Sequence, residues 1–476
     1  MLTFNSRKRI RRFSQVALSR PGYIAAGFIA LLSLCLWIFI IRNYSIRAYS
    51  DPLNWLFFAQ HLASECSRSR LAIGYPMFLF SQTPLWGPYY IFLVNFPLLI
   101  LLFILFLLLA WLIAQETTPP HEAVWIGIGA FSFLAAVDLY DLIFLTNPYR
   151  DPLAYVGIVG SMVFLLRYLQ NPRHSRWRIA VSGLLLGGAY CVREPSILMF
   201  GPLALTGFVY WWSDRTIPLW KSIGWFTVFF VLGGLPLFIQ SQISTGQFIL
   251  PAQSVKQGSL APGILPYQSI FFPIAKRFLS AYWEQGGIFM PACIAGLLFA
   301  VIRRNRLLLL LIVPSVVGYF IFYSFYWPGV RRYFYLVTVL AMPLASYGLF
   351  HCLWAALRLL RRPQWSGYGN WLLASGISLW AAWRLLATQP ATPPFQVPQA
   401  KQFKADLEST VPPDATIFCR RNLCEIIRYF THAQSYPVPS ESDLRRIVRD
   451  GLERGESFYF MEVKSRGAPD IDRNII

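Results

Sequence analysis

Long apolar runs alternate with short polar segments along most of this chain. A helix needs about 20 apolar residues to cross the hydrocarbon core of a bilayer. By that criterion we predict about eleven membrane spans, several of them short: 22–41, 90–114, 123–137, 153–166, 179–192, 196–212, 223–238, 287–302, 307–327, 333–350 and 370–386. Pro195 separates two of these runs, so residues 179–212 are either one kinked helix or two helices joined by a tight turn. The pattern predicts an α-helical polytopic membrane protein.

Composition supports lipid as the solvent of these runs. Of the 476 residues, 56% are apolar and 13% are charged, whereas soluble domains carry about 25% charged residues. The 17 tryptophans fit membrane interfaces, which indole rings favour. The net charge of +20 is spread in short clusters between apolar runs, as membrane topology requires. We therefore expect membrane lipids as partners and no nucleic acid.

Basic clusters orient the predicted spans. Residues 1–21 form a basic segment that we place in the cytoplasm. The run 22–41 is too long for a typical signal peptide and no small-residue cleavage site follows it, so we expect it to remain as the first span. With eleven crossings, four of the other five cytoplasmic loops carry Arg or Lys clusters. The N-terminus is then cytoplasmic and the C-terminus extracytoplasmic.

This topology divides the chain into three parts. A transmembrane domain over 22–388 carries outer loops at 42–89, 138–152 and 239–286, and long loops of this kind are often functional. Residues 389–476 begin with a Pro-rich linker and continue with helix-like stretches over 401–409 and 441–453 and strand-like stretches over 416–419 and 457–463. They predict a small C-terminal extracytoplasmic α/β domain. Cys419 and Cys424 within it are either a disulfide or two free thiols.

Two Asp–Pro pairs stand where outer loops meet helices. Asp51 precedes Pro52 in the first loop, and Asp151 precedes Pro152 at the start of a span. An aspartate followed by a proline is a common helix start, so capping accounts for either residue. A carboxylate at the mouth of a helical bundle also accepts a proton or binds a metal ion. For Asp151 an ion pair with a nearby arginine is the structural alternative.

Arginines collect on the same side of the membrane. Arg193 and Glu194 follow the glycine-rich segment "GLLLGGAYC", where they form either a salt-bridged hinge or a phosphate site. Arg331 and Arg332 stand at the outer start of a later span, where they either snorkel or contact a phosphate. His61 and Glu65 have the i, i+4 spacing of two metal ligands, but a solvated helix face is the favoured interpretation.

Together these segments resemble the GT-C superfamily of membrane glycosyltransferases. The similarity is greatest to its bacterial branch with the lipid A aminoarabinose transferase, protein mannosyltransferases and rhizobial lipopolysaccharide-core transferases. It rests on Asp51 followed by "AIGYPMFLF", on Asp151 at the fourth span, on "GLLLGGAYCVREPS" and on "RRYFYLVTVLAMPL", and it covers most of 22–350. In the tail, "VPPDATIF" is similar to the opening of the small outer domain of such proteins.

The resemblance implies an inverting transfer of a sugar from a polyprenyl-phosphate donor to a lipid, glycan or protein acceptor. It places the reaction at the outer face of the cytoplasmic membrane, as a step of cell-envelope glycan or lipopolysaccharide modification. Asp51 becomes the expected base, and Asp151 becomes a second catalytic carboxylate that supports the site or a metal ion. The expected substrate contacts are Arg193, Glu194, Arg331, Arg332, Tyr75 and Lys256. A divalent metal ion is left open as a cofactor, with Asp51 and Asp151 as its candidate ligands.

Transport is the competing function. A lipid-linked sugar flippase or a solute carrier would also be a polytopic membrane protein. Transporters often show internal repeats and charges near the bilayer midplane. Here no clear repeat is found, and the conspicuous charges fall at outer helix ends. We therefore favour the enzyme.

Overall fold

Helices make up most of the described chain. The computed structural model describes residues 56–62, 72–136, 149–172, 175–214, 218–246, 275–280, 287–324, 334–361, 365–387, 397–412, 415–419, 427–429, 434–437, 441–453 and 458–461, with part of 27–38 and positions 273 and 424. The helices before the C-terminal segment are α1 Gly74–Tyr90, α2 Asn95–Ala114, α3 Pro120–Ala136, α4 Asp151–Gln170, α5 Arg176–Val192, α6 Phe200–Ser213, α7 Leu219–Thr245, α8 Phe289–Arg303, α9 Val313–Ser324, α10 Tyr335–Leu359 and α11 Ser366–Ala387.

Among the described residues, five helical stretches are long and apolar enough to cross a membrane. They are Asn95–Ala114, Asp151–Gln170, Glu194–Ser213, Leu219–Ile243 and Tyr335–Leu359. Phe289–Arg303 and Leu308–Ser324 are shorter apolar helices. The prediction of a mostly helical membrane protein is confirmed, while the count of eleven crossings stays a prediction. Helix α1 occupies part of the predicted outer loop 42–89, and it is kinked at Gly87, where φ is +66°.

Helices α4 and α10 form the centre of the bundle. In each of them 83% of the most apolar stretch is buried inside the protein, against 22% in α7. An apolar helix that is covered on all sides belongs to a core, whereas exposed apolar residues such as Trp220 and Ile243 on α7 suit contact with lipid. The central helices therefore fix the positions of the side chains at their ends.

Residues 179–212 form two helices. Helix α5 ends at Val192, and Arg193 has an extended backbone with φ −151° and ψ 110°. A 3-10 turn over Glu194–Met199, with Pro195 in its first turn, then leads into α6. This break turns the Arg193 side chain into the bundle, where it is buried.

Close packing of α5 on α7 relies on glycine. A Cβ on Gly187 would collide with the backbone carbonyl of Phe230 in α7. The neighbouring Gly188 has open space at the same place. Small residues at a helix interface let two backbones approach in this way.

Glu116 joins three segments just beyond the end of α2. Its Oε1 accepts a hydrogen bond from the Tyr210 hydroxyl, and its Oε2 accepts one from the Leu307 backbone N–H, both at 2.8 Å. Burial raises the pKa of this carboxyl above its ordinary value, and the two hydrogen bonds only partly oppose that shift.

The C-terminal segment contains a parallel sheet. Its strands are β1 Thr416–Cys419, β2 Gln434–Pro437 and β3 Phe458–Met461, and they lie in the order β2-β1-β3. Along the chain, helix α12 Val397–Thr410 precedes β1, and helix α13 Glu441–Leu452 connects β2 to β3. Three of the five elements match predicted helix-like or strand-like stretches within a few residues, and β3 lies inside a fourth; β2 was not predicted.

Cys419 and Cys424 are joined as a disulfide. The Tyr429 hydroxyl donates to the Pro88 carbonyl at 2.9 Å, which ties the segment to α1.

Candidate functional site

A buried ion pair lies where α4 begins and α5 ends. Nη1 of Arg193 donates to Oδ1 of Asp151, and the two side chains are 3% and 4% exposed. Asp151 is the first residue of α4, and the preceding position, Arg150, makes no side-chain cap. Arg150, and not Asp151, therefore occupies the N-cap position, and the Asp151 carboxylate bonds to Arg193. Since two buried charges are stable only when they are matched, each residue holds the other in place.

Tyrosines surround the guanidinium of Arg193. Its Nη1 also donates to the Tyr155 hydroxyl at 3.1 Å. The guanidinium carbon lies 5.9 Å from the ring centroid of Tyr155 and 5.3 Å from that of Tyr323. Aromatic faces at these distances attract a cation. The Tyr335 ring at the start of α10 stacks on Tyr155 at 6.3 Å, so α10 completes the enclosure.

A second ion pair lies beside the first along both chain segments. Arg150 and Glu194 approach to 3.9 Å and are about one-fifth exposed. They flank Asp151 and Arg193 in sequence, so the two pairs follow from one meeting of the α4 start with the α5 end. At 3.9 Å the two groups are too far apart for a hydrogen bond, so this pair is weaker than the Asp151–Arg193 pair.

Tyr75 reaches this end of the bundle through hydrogen bonds. Its hydroxyl donates to Oδ1 of Asn95 at 3.1 Å, and Nδ2 of Asn95 donates to the Tyr149 carbonyl at 2.9 Å. Tyr75 is fully buried. This chain of bonds supports the backbone just before Arg150, which gives Tyr75 a positioning role in the structure.

The predicted site residues divide into two groups. Asp151 and Arg193 meet directly, Glu194 lies beside them, and Tyr75 is linked to them through Asn95. The other predicted site residues fall outside the described residues: Asp51, Lys256, Arg331 and Arg332.

Sequence reasoning missed Tyr155, Tyr323 and Asn95. Asp151 and Tyr155 have the i, i+4 spacing that places both on one helix face, so this one signal was available. Tyr323 comes from a distant helix and Asn95 from inside an apolar run, and neither carries a local signal.

No group of three or more His, Cys, Asp or Glu side chains in the described part of the chain is arranged to hold a metal ion. Asp151 is engaged by Arg193, so a cation there would have to displace the guanidinium. His61 packs its ring 4.3 Å from that of Phe57, and its Nδ1 lies 3.1 Å from the Phe57 carbonyl. Its proposed partner Glu65 lies outside the described residues.

Sequence comparison identifies no relative of this chain. No protein-family model matches it, and no curated protein sequence matches it significantly.

Structural comparison finds the same fold in solved proteins. ArnT from Cupriavidus metallidurans bound to undecaprenyl phosphate matches with a TM-score of 0.56 at 12% identity, over 92% of this chain and 90% of ArnT. The apo form of that protein gives 0.55 at 13% identity, over 90% and 89%. The Archaeoglobus fulgidus oligosaccharyltransferase, in complex with Zn and sulfate, gives 0.54 at 10% identity, over 87% of this chain and 62% of its own length. The chain therefore has the fold of the GT-C superfamily, to which the aminoarabinose transferase ArnT and the archaeal oligosaccharyltransferase belong.

Proposed function

We propose that this protein is a membrane glycosyltransferase that takes a sugar from a polyprenyl-phosphate donor. The observation that carries the proposal is the buried Asp151–Arg193 pair at one end of the bundle, in a chain with the fold of a protein solved with undecaprenyl phosphate. Such a pair presents a fixed guanidinium, whose planar fork suits phosphate oxygens. The acceptor is a lipid, a glycan or a protein.

The reaction requires one nucleophile and one stabilised leaving group. An acceptor hydroxyl attacks the anomeric carbon from the face opposite the phosphate and inverts its configuration. The bond between that carbon and the phosphate oxygen breaks, and polyprenyl phosphate leaves with the bonding electrons. The hydroxyl proton passes to a carboxylate, which we assign to Asp51.

Cationic side chains lower the barrier by meeting the charge that develops on the leaving phosphate. Arg193 is the anchored member of this set, with Arg331, Arg332 and Lys256 as further phosphate contacts. Asp151 and Glu194 act by positioning Arg193 and Arg150. Should a divalent ion take part, it would add Lewis-acid stabilisation of the same phosphate, with Asp51 as a candidate ligand and Asp151 as a second one if the ion displaced the Arg193 guanidinium.

Two contacts support an extracytoplasmic site in the cytoplasmic membrane. The Cys419–Cys424 disulfide fits an oxidising compartment for the C-terminal segment. That segment contacts Pro88 in α1, close in sequence to Asn95, which bonds to the backbone beside the ion pair. The C-terminal segment and the pair therefore lie toward the same end of the bundle, which supports the proposal of one extracytoplasmic side for both.

The test is a transfer assay with purified protein in detergent and a panel of undecaprenyl-phosphate sugars. Asp51→Asn should lower transfer by about 10²-fold or more, while Asp450→Asn, the same change at a half-exposed position of α13, should leave it unchanged. Product analysis should show the opposite anomer and free polyprenyl phosphate. Translocation of an intact donor without cleavage would support a flippase and overturn the proposal.

A further inference from the structure

A cavity of about 300 Å³ lies among the ends of α2, α3, α8, α10 and α11. Six of the residues that line it carry polar groups relevant to binding: Thr118, Glu122, Arg303, His351, Arg358 and Ser366. We name it the His351 cavity after its central side chain.

The His351 cavity and the Asp151–Arg193 pair lie at opposite ends of the bundle. Helix α10 begins at Tyr335, which stacks beside the pair, and His351 follows 16 residues later. At 1.5 Å per residue this separation is about 24 Å along the helix axis. Helix α2 agrees, since Asn95 at its start bonds beside the pair and Thr118 lies just beyond its end. The cavity is thus separate from the proposed transfer site.

Two buried polar side chains at this cavity have no hydrogen-bond partner among the described residues. They are His351, through both ring nitrogens, and Thr118, through its hydroxyl. Their exposed fractions are 2% and 6%. Most buried polar groups in folded proteins are hydrogen-bonded, and an exception calls for an unseen partner. The His351 ring is held by Tyr347 and Trp354, with centroid distances of 4.1 and 4.6 Å, so its nitrogens are fixed in place.

Charge defines the partner. Arg303 and Arg358 line the cavity with one opposing carboxylate, Glu122. Within the described chain no ion pair within 4.0 Å joins Glu122 to either arginine. Two cations and one anion leave the cavity with an excess positive charge. The imidazole of His351 and the hydroxyl of Thr118 add donors without adding negative charge.

We propose that the His351 cavity binds a phosphate-bearing group at the membrane face opposite the Asp151–Arg193 pair. Arg303 and Arg358 supply charge-assisted hydrogen bonds to the phosphate oxygens. One ring N–H of His351 and the Thr118 hydroxyl donate to oxygens of the same group. Glu122 sets a limit on affinity, because it repels the anion. The phosphate belongs either to a phospholipid headgroup or to a soluble ion, since both present the same oxygens.

The test uses the full-length protein in detergent and three probes. These are dioleoylphosphatidylglycerol, inorganic phosphate, and dioleoylglycerol as the lipid without a phosphate. Binding is followed by the melting temperature as a function of probe concentration and by native mass spectrometry of retained lipid. Arg358 is exposed, so Arg358→Gln should fold, and the matched control is Arg361→Gln, which changes an exposed arginine of the same end outside the cavity lining.

We expect Arg358→Gln to weaken binding of the phosphate-bearing probe about tenfold, and Arg361→Gln to leave it unchanged. Glu122→Gln should change affinity in the opposite direction and tighten binding. Stabilisation by phosphatidylglycerol alone identifies a lipid headgroup, and stabilisation by both phosphate probes identifies a site open to the soluble ion. The proposal is overturned if neither phosphate probe binds, if dioleoylglycerol binds as well as phosphatidylglycerol, or if the Arg358 and Arg361 variants behave alike.

Discussion

Removing one charge of the Asp151–Arg193 pair should destabilise the protein far more than removing both. Asp151→Asn leaves the Arg193 guanidinium buried without its counter-charge, and Arg193→Gln leaves the carboxylate in the same position. Breaking a buried ion pair on one side typically costs about 3–5 kcal/mol. In the double variant, Asp151→Asn with Arg193→Gln, neither charge of the pair is left buried alone, so the double variant avoids the cost that each single variant incurs.

Melting temperatures in detergent measure this prediction. Each single variant should melt several degrees below the wild type, and the double variant should melt at least as high as either single one. Glu194→Gln is the control, because the Arg150–Glu194 pair is longer and partly exposed. Exposed pairs contribute about 0–1 kcal/mol, so this variant should stay near the wild type. Additive losses in the double variant, or single variants no worse than the control, would show that the two charges do not depend on each other.

Three further variants test packing, titration and positioning. Gly187→Ala should lower the melting temperature strongly because the new Cβ meets a backbone carbonyl of α7, while Gly188→Ala should be nearly neutral; equal effects would contradict the close approach. Glu116 has a raised pKa in the folded state, so its contribution to stability is present below about pH 4.5 and is lost as the pH rises through the raised value. As the pH rises above about 4.5, the melting temperature of the wild type should therefore fall relative to that of Glu116→Gln. A difference that does not depend on pH would refute the raised pKa of Glu116. Tyr75→Phe should cost about 0.5–1.5 kcal/mol by removing the hydrogen bond from the Tyr75 hydroxyl to Oδ1 of Asn95; a raised KM at unchanged melting temperature would instead make Tyr75 a substrate contact.

Most of the helical architecture was predictable from the sequence. In lipid every backbone polar group must be satisfied within the protein, so an apolar run of about 20 residues has few alternatives to a helix. For that reason the predicted runs coincide with helices across the described chain. The main differences are at helix α1, where a predicted loop contains a helix, and at Arg193, where the sequence left one kinked helix or two open.

The sequence also marked Asp151 and Arg193, because charged residues are rare at the ends of apolar spans and each is costly unless it has a partner or a function. From the sequence, an ion pair and a phosphate contact were both possible interpretations of these residues. The resemblance to the GT-C superfamily came from the order of short motifs along the chain. Asp51, Arg331, Arg332 and Lys256 stay predictions.

Only the tertiary structure decided which side chains meet. Asp151 and Arg193 are 42 residues apart, and Tyr323 comes from a helix far along the chain. Thr118 and His351 line the same cavity, although more than half of the described bundle lies between them in sequence. Helices that are apolar on all sides carry no periodic signal to show which face meets a neighbour. The sequence therefore determined the helices and the residues that needed partners, whereas the partners themselves depended on how the helices pack.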